Sequence, residues 1–185
     1  MTVGLLGGAF DPPHVGHVAL ARAALERFPL ERLVVLVVAD PGHKGVEAPA
    51  EARLALAEAA FAGLAEVRLD AHARTVESLR ASAWDDPLFV VGADEFAGFL
   101  SWTEPDAVLD LARLAVGTRP GYPRERLETV LAGLRRPDRV VFFDIEPLPV
   151  SSTEVRERVA RGEPIDGLVP AGVAALIGEL RLYLR

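Results

Sequence analysis

Hydrophobic and polar positions along the chain follow two alternating periods. Short and nearly continuous apolar runs, of which residues 33–38 (Leu-Val-Val-Leu-Val-Val) are the clearest, are typical of strands buried on both faces of a parallel sheet. Longer stretches with apolar residues at helical spacing separate these runs. The pattern predicts strands at 3–6, 33–39, 66–69, 88–92, 114–117 and 140–143, and helices that include 50–61, 76–82 and 124–134.

Strands that alternate with helices predict right-handed crossovers into one parallel sheet. No Ser/Gly-rich linker, repeat or low-complexity tract interrupts the alternation. The sequence therefore predicts one α/β domain over residues 1–185, a Rossmann-like doubly wound parallel sheet with a short helical C-terminal lobe over about residues 150–185. Ligands of such sheets bind at the carboxyl ends of the strands, where the loops after Gly7, Ala39 and Gly92 begin.

The segment from residue 6 to residue 17 reads Leu-Gly-Gly-Ala-Phe-Asp-Pro-Pro-His-Val-Gly-His and follows the first strand. Gly7 and Gly8 carry no Cβ, so the backbone can turn sharply and a ligand can approach its N–H groups closely. Pro12 and Pro13 fix their own φ and keep Asp11 extended. We expect a tight turn between a strand and a helix here.

The spacing of Val18, Leu25 and Phe28 predicts a helix after this turn, and two histidines lie where that helix begins. His14 and His17 fall near its first turn, where unpaired N–H groups and the helix dipole favour an anion. Phosphate is the natural ligand, although neither G-x-G-x-x-G nor a P-loop occurs at this turn. The structural alternative is an ordinary βα turn with one capping and one packed histidine.

A second candidate anion site is residues 150–156, Val-Ser-Ser-Thr-Glu-Val-Arg. Ser151, Ser152 or Thr153 can cap a helix that starts here. Arg156 would lie in its first turn, and a forked donor above a positive helix end suits a polyphosphate. The alternative is a plain capped helix. With the histidine segment, two helix N-termini would bind one triphosphate.

Lys44 is the single lysine among 20 cationic residues, and it lies in a Pro-Gly-His-Lys-Gly loop. A compact ammonium meets phosphate as a point charge, although a stray lysine in an arginine-rich chain is the alternative. His43 and His72 are given no catalytic role.

A third cluster follows the strand at 88–92. Asp94 is placed to accept hydrogen bonds from a ribose, and Trp102 offers a flat face to an aromatic ring. Phe96 and Phe99, at a spacing of three, predict a buried helical face, to which Trp102 belongs in the alternative interpretation.

Composition limits the partners. The formal net charge of −7 argues against nucleic acid, which usually needs a broad basic face. The chain has no cysteine, no leader pattern and no apolar run long enough to span a membrane, so we expect a cytoplasmic protein. The sequence leaves open whether it forms a homo-oligomer.

Residues 7–17 and 150–156 resemble the H-x-G-H signature and the C-terminal Ser-Ser/Thr-x-x-Arg site of the nucleotidyltransferase superfamily, in the form used by adenylyltransferases of NAD and coenzyme A synthesis. Gly-x-Asp at 92–94 and Phe-x-x-Trp at 99–102 are similar to the ribose and pyridine segment of nicotinate mononucleotide adenylyltransferases. Further similarities lie at 119–121, 167–170 and 182–183. Gly42 replaces a family proline, and residues 73–79 keep Thr75 and Leu79 but lack the family's Ser and Tyr.

The resemblance implies transfer of the ATP adenylyl group to nicotinate mononucleotide, with Mg²⁺ held mainly by ATP phosphates and water, and no metal-binding residues. The implied catalytic residues are His14 and His17. The implied ATP-binding residues are Gly7, Gly8, Phe10, His17, Gly92, Asp94, Arg119, Ser152, Thr153 and Arg156. The implied mononucleotide-binding residues are Lys44, Thr75, Trp102 and Thr103.

Four alternatives differ in acceptor or class. A phosphopantetheine adenylyltransferase shares the first motif but needs no Phe-x-x-Trp platform, and a homologue preferring nicotinamide mononucleotide stays open. A class I aminoacyl-tRNA synthetase needs a far longer chain, a lysine-rich second signature and a tRNA surface, which this chain lacks. A non-catalytic nucleotide sensor would bind ATP without releasing pyrophosphate.

Overall fold

One parallel sheet of six strands forms the centre of the computed structural model, which describes residues 2–42, 45–119, 121–146 and 148–184. The strand order is β3-β2-β1-β4-β5-β6. The strands are β1 (Thr2–Gly8), β2 (Leu30–Val38), β3 (Glu66–Asp70), β4 (Leu88–Gly92), β5 (Arg113–Thr118) and β6 (Val140–Asp144). All six predicted strands are confirmed, and so is the doubly wound fold class.

Helices connect the strands and follow the last one. They are α1 (Val15–Arg27), α2 (Ala50–Ala60), α3 (Thr75–Ala81), α4 (Ala93–Ala97), α5 (Pro105–Leu111), α6 (Arg124–Ala132), α7 (Ser152–Ala160) and α8 (Ala171–Glu179), with short 3₁₀ turns at Phe99–Ser101 and Pro137–Arg139. The three helices predicted between strands are confirmed, with ends that differ by one or two residues. No helix in the described part of the chain is long and apolar enough to cross a membrane.

Successive residues of each strand face opposite sides of the sheet, and both sides are buried. In β2, Leu33 and Val35 belong to one apolar core, which also contains residues of α1, α2, α7 and α8. Val34 and Leu36 belong to the other core, which contains residues of α3, α4, α5 and α6. This two-sided burial explains why the strand reads as an uninterrupted apolar run.

The sheet has its topological switch point between β1 and β4. From β1 the chain winds outward through β2 and β3, whereas β4, on the other side of β1, leads to β5 and β6. Parallel pairing of Gly4 with Leu88 and of Leu6 with Val90 aligns the ends of β1 and β4. Their carboxyl ends therefore lie side by side at the edge where doubly wound sheets bind their ligands, which is called the crevice below.

One detail of the first segment differs from the prediction. Strand β1 continues through Gly7 to Gly8, which pairs with Val37 of β2, so both glycines belong to the strand. The turn is formed instead by residues 9–14, between the end of β1 and the start of α1. Ladder pairing with β2 holds the two glycines extended.

Candidate active site

The two histidines of the first segment lie together at the start of α1. His14 is the N-cap residue and His17 the third helical residue, as the sequence predicts. Their rings stack with centroids 3.7 Å apart and an interplanar angle of 25°. The structural alternative is correct in one respect, because His14 does hold a capping position, but the two imidazoles also form a pair at the crevice.

A hydrogen bond fixes the neutral tautomer of His17. The main-chain N–H of His14 donates to Nδ1 of His17 over 3.2 Å. Because this nitrogen accepts a hydrogen bond, the proton of the neutral ring is on Nε2. His17 thus presents an N–H donor on the far side of its ring, which is the group that a phosphate oxygen requires.

His14 is held neutral in a close-fitting position. Burial lowers its pKa to about 4, so the ring carries no charge at neutral pH. Its Nδ1 is buried and has no hydrogen-bond partner among the described residues. A Cβ on Gly16 would lie 3.0 Å from this nitrogen and 3.1 Å from Cε1 of the same ring. The glycine of the motif therefore makes room for the imidazole.

Aromatic side chains fill the space beside the two strand glycines. A Cβ on Gly7 would lie 3.0 Å from the Phe89 ring, and one on Gly8 would lie 3.0 Å from the Phe10 ring. Phe10 has a positive φ of 51° and is 2% exposed, and its ring packs edge-on against His17. The two glycines thus have a packing role that the sequence did not predict. The buried Phe10 side chain supports His17, so only the main chain of Phe10 is left to contact a ligand.

The start of α7 is bonded directly to the turn that precedes His14. Ser151 is the N-cap, and its side chain accepts a hydrogen bond from the Glu154 N–H over 3.1 Å. The Ser152 hydroxyl donates to the Pro12 carbonyl over 2.8 Å. Arg156 donates from Nη1 to the Asp11 carbonyl over 2.7 Å. The two segments predicted to bind phosphate are therefore held side by side.

Arg156 also contacts a carboxylate. Its Nε donates to the Glu47 side chain over 2.9 Å, and its Nη2 lies 3.5 Å from the Thr153 hydroxyl. A small hollow of about 100 Å³ is lined by these three residues together with Glu157 and Ala160. The predicted polyphosphate-binding arginine is therefore partly engaged by the protein itself.

Asp11 holds the site together through contacts that the sequence did not indicate. Its side chain is buried and accepts hydrogen bonds from the N–H groups of Glu47 (2.7 Å) and Ala48 (3.1 Å) and from the Tyr183 hydroxyl (2.8 Å). Burial and the Asp11 hydrogen bond raise the pKa of Tyr183, so this phenol stays protonated. The carboxylate joins the histidine turn to the loop after β2 and to the C-terminal segment.

Arg53 of α2 is the other residue that was missed. It is 1% exposed, and burial lowers its pKa. Its guanidinium donates four hydrogen bonds to main-chain carbonyls, those of Ala9, Val38, Ala39 and Ala48. The sequence did contain a sign that Arg53 is buried. Arg53 lies at helical spacing from Leu56 and Ala57, so it falls on the buried face of α2.

The end of β4 forms the other side of the crevice. Gly92 caps α4, and a Cβ there would meet nothing within 4 Å. Asp94 is exposed in the first turn of α4. The pKa of the neighbouring Tyr122 is raised first by burial of its hydroxyl and then by the negative charge of the Asp94 carboxylate. Trp102 is half-buried, with its ring centroid 5.0 Å from that of Phe99 and an angle of 60°.

The remaining predicted residues are placed around the same edge. Phe96 and Phe99 are fully buried, as predicted. Thr75 begins α3 after β3, and Arg119 is exposed directly after β5. Thr103 is exposed beside Trp102. Lys44 and His43 lie outside the described residues, and His72, half-buried, has its Nδ1 2.9 Å from the Asp70 carboxylate.

In the described ranges, no three His, Asp or Glu side chains are grouped so that they could hold a metal ion. Three hydrogen-bond donors lie at the crevice: the His17 imidazole, the N–H groups at the start of α7 and the Arg156 guanidinium, which is shared with the Glu47 carboxylate. Such a set suits an anion that brings its own metal ion better than a metal ion bound by the protein.

Comparisons with known proteins identify the family of the chain. The model of the cytidylyltransferase-like family matches residues 5–158. A Rubrobacter xylanophilus protein named "Probable nicotinate-nucleotide adenylyltransferase" is 36% identical over 99% of this chain and 92% of its own length. A Thermus thermophilus protein of the same name is 36% identical over 99% of this chain and 100% of its own length. A Bordetella avium protein of that name is 35% identical over 98% of this chain and 97% of its own length.

Solved structures show the same fold. Plasmodium falciparum nicotinic acid mononucleotide adenylyltransferase complexed with NaAD has a TM-score of 0.76 at 16% identity, covering 98% of this chain and 97% of that one. The same enzyme complexed with APC has a TM-score of 0.74 at 15% identity, covering 98% and 96%.

Proposed function

Because the chain belongs to the cytidylyltransferase-like family, and within it to the nicotinate-nucleotide adenylyltransferases, we propose that it joins ATP and nicotinate mononucleotide. The products are nicotinate adenine dinucleotide and pyrophosphate, so the reaction is a step of NAD biosynthesis. The observation that carries the proposal is the attachment of α7 to the histidine turn through Ser152 and Arg156, which holds side by side the two segments predicted to bind anions.

In the proposed reaction an oxygen of the acceptor's 5′-phosphate attacks the α-phosphorus of ATP. The new P–O bond forms as the bond from the α-phosphorus to the α,β-bridging oxygen breaks, and the bonding electrons leave with pyrophosphate. Phosphate is already a competent nucleophile, so no covalent enzyme intermediate is needed. The protein has to align two anions that repel each other and to stabilise the charge that develops on the leaving group.

We assign the α-phosphate and the bridging oxygen to the histidine pair. The Nε2–H of His17 is oriented by the bond at Nδ1 and donates to this developing charge. His14 stays neutral at physiological pH, so it acts as a hydrogen-bond donor and not as a fixed cation. Gly7, Gly8 and Phe10 offer main-chain groups to the nucleotide at the end of β1.

The β- and γ-phosphates are assigned to the start of α7. The N–H groups and dipole of its first turn favour an anion. Thr153 offers its hydroxyl there, and Ser152, whose hydroxyl donates to the Pro12 carbonyl, offers its main-chain N–H. Arg156 adds a charged donor whose position is fixed by the Asp11 carbonyl.

The remaining residues complete the two nucleotide sites in this proposal. Gly92, Asp94 and Arg119 lie at the ends of β4 and β5, where we place the adenosine. Trp102 and Thr103 bind the pyridine side of the mononucleotide. Thr75 and Lys44 bind on the same side.

A divalent ion, which we take to be Mg²⁺, accompanies the triphosphate in this proposal. Phosphate oxygens and water would coordinate it, because the described residues hold no cluster of metal-binding side chains. Its chemistry is to neutralise phosphate charge. We place the reaction in the cytoplasm. The chain has no cysteine and so forms no disulfide bonds, which are rare in proteins of that compartment.

The reaction is tested by measuring pyrophosphate release from ATP with three acceptors side by side: nicotinate mononucleotide, nicotinamide mononucleotide and phosphopantetheine. We expect the largest kcat/KM with nicotinate mononucleotide, and the dinucleotide as product. Greater turnover with phosphopantetheine would overturn the acceptor assignment. Binding of ATP with no pyrophosphate release with any acceptor would show a nucleotide sensor.

The role of His17 is tested by His17→Ala and His17→Asn. Both variants remove the Nε2–H donor, while asparagine keeps an oxygen able to accept the His14 N–H. Loss of one preorganised donor should lower kcat by about 10²–10³-fold with little change in stability. Turnover equal to that of the unmodified protein in both variants would contradict this assignment.

A further inference from the structure

The contact between Arg156 and Glu47 joins two side chains of very different exposure. The Arg156 side chain is 18% exposed, whereas that of Glu47 is 60% exposed. The pair spans 109 residues of sequence, so it brings the loop after β2 against α7. A carboxylate is therefore held on the fifth residue of a helix whose first N–H groups favour an anion.

We propose that Glu47 occupies the position of a phosphate group on Arg156 and is displaced when a nucleoside triphosphate binds. Carboxylate and phosphate oxygens both accept hydrogen bonds from a guanidinium, so only one of the two groups can accept from Nε of Arg156 at a time. Glu47 thus sets the affinity for ATP by competing with it. This inference rests on the proposed assignment of Arg156 to the triphosphate.

The structure indicates that Glu47, and not Arg156, moves. Arg156 is additionally held by the Asp11 carbonyl at 2.7 Å, and most of its side chain is buried. Glu47 makes a largely exposed ion pair, a kind of contact that contributes little to stability because water screens it. Its main-chain N–H stays bonded to the Asp11 carboxylate, so the side chain can turn away while the loop keeps its place.

A positioning role for Glu47 predicts the opposite effect. If the carboxylate served to orient Arg156 for phosphate, its removal would weaken nucleotide binding. The direction of the change in affinity therefore distinguishes competition from orientation.

Glu47→Gln is the test variant, since it removes the charge and keeps the size and the main-chain bond. Glu157→Gln is the matched control, because Glu157 lines the same hollow and pairs with Arg161. The measurement is the Kd of a non-hydrolysable ATP analogue by titration calorimetry at low and at high salt. We expect Glu47→Gln to bind about three-fold more tightly at low salt, with a smaller gain at high salt, and Glu157→Gln to change Kd by less.

Unchanged or weaker binding by Glu47→Gln, or an equal gain in Glu157→Gln, would overturn the proposal. Repeating Glu47→Gln in an Arg156→Gln background separates the cause, because competition predicts that the gain disappears there. A gain that persists without Arg156 would also contradict it. Failure of the proposed function gives a different result, which is no pyrophosphate release from the unmodified protein with any acceptor.

Discussion

At the scale of single residues, the proposed site depends on two neutral imidazoles that are in contact, those of His14 and His17. His14 is kept uncharged by burial, and the tautomer of His17 is set by the His14 main chain. A neutral donor pair can stabilise charge that appears only in the transition state. The spacing of the two histidines was visible in the sequence. The tautomer of His17 depends on a hydrogen bond from the His14 main chain, and the protonation of His14 depends on burial, and spacing defines neither.

The lowered pKa of His14 makes stability depend on pH. Between pH 6.5 and pH 4 the unfolded chain binds a proton at this histidine and the folded chain does not, so stability falls as pH is lowered through that range. From pH 7 to pH 5 the unmodified protein should lose ~2 kcal/mol more unfolding free energy than His14→Asn. The measurement is urea unfolding at both pH values, and parallel losses in the two proteins would contradict the assignment.

Gly16 is predicted to be necessary for the position of the His14 ring. In Gly16→Ala the new Cβ would press on the imidazole, so we expect kcat/KM to fall about 10- to 100-fold, since small misplacements of catalytic groups are costly. Gly178→Ala is the control, because Gly178 is an exposed position of α8 where a Cβ meets nothing within 4 Å. Normal activity in Gly16→Ala would show that the ring needs no such space.

At the scale of elements, two buried charged side chains hold the loop after β2 in place. Arg53 takes the carbonyls at the end of β2, and both it and Asp11 bind the backbone at Ala48. The same carboxylate receives the Tyr183 hydroxyl from the end of the chain. The partners of Asp11 are 36 to 172 residues away, so no local pattern could predict them.

Tyr183→Phe removes one hydroxyl from this network. Because the hydroxyl donates to a buried carboxylate, we expect a loss of about 1.5–3 kcal/mol in unfolding free energy, measured by urea denaturation. Tyr122→Phe is the control, since its hydroxyl makes a longer bond of 3.3 Å to the Ala93 carbonyl and should cost less. Equal losses in the two variants would mean that the Asp11 bond has no special weight.

Strand and helix positions could be predicted because each element repeats its own period of apolar residues. The ends were less well defined, as β1 shows: Gly7 and Gly8 look like a turn by residue type, but pairing with β2 makes them strand. The N-cap of α7 was narrowed to three candidates, of which Ser151 accepts the capping bond. Local propensity identifies an element, and tertiary contacts determine where it begins and ends.

For the whole molecule, a formal net charge of −7 must coexist with binding of two anionic substrates. The sheet topology and the contacts of α7 bring the ends of β1 and β4, the start of α1 and the start of α7 together, so two helix N-termini and Arg156 can offset that charge locally. The sequence predicted the fold, which is confirmed, and it indicated the two segments that we propose bind phosphate. It could not predict the Glu47–Arg156 pair or the Asp11 network, which exist only once the chain is folded.

The central claim is that the histidine pair and the start of α7 bind the same triphosphate. The most direct test is a crystal structure of the protein with a non-hydrolysable ATP analogue. We predict phosphate oxygens within hydrogen-bond distance of Nε2 of His17 and, on the same molecule, of the Arg156 guanidinium. A triphosphate that contacts only one of the two groups, or that binds away from both, would contradict the account.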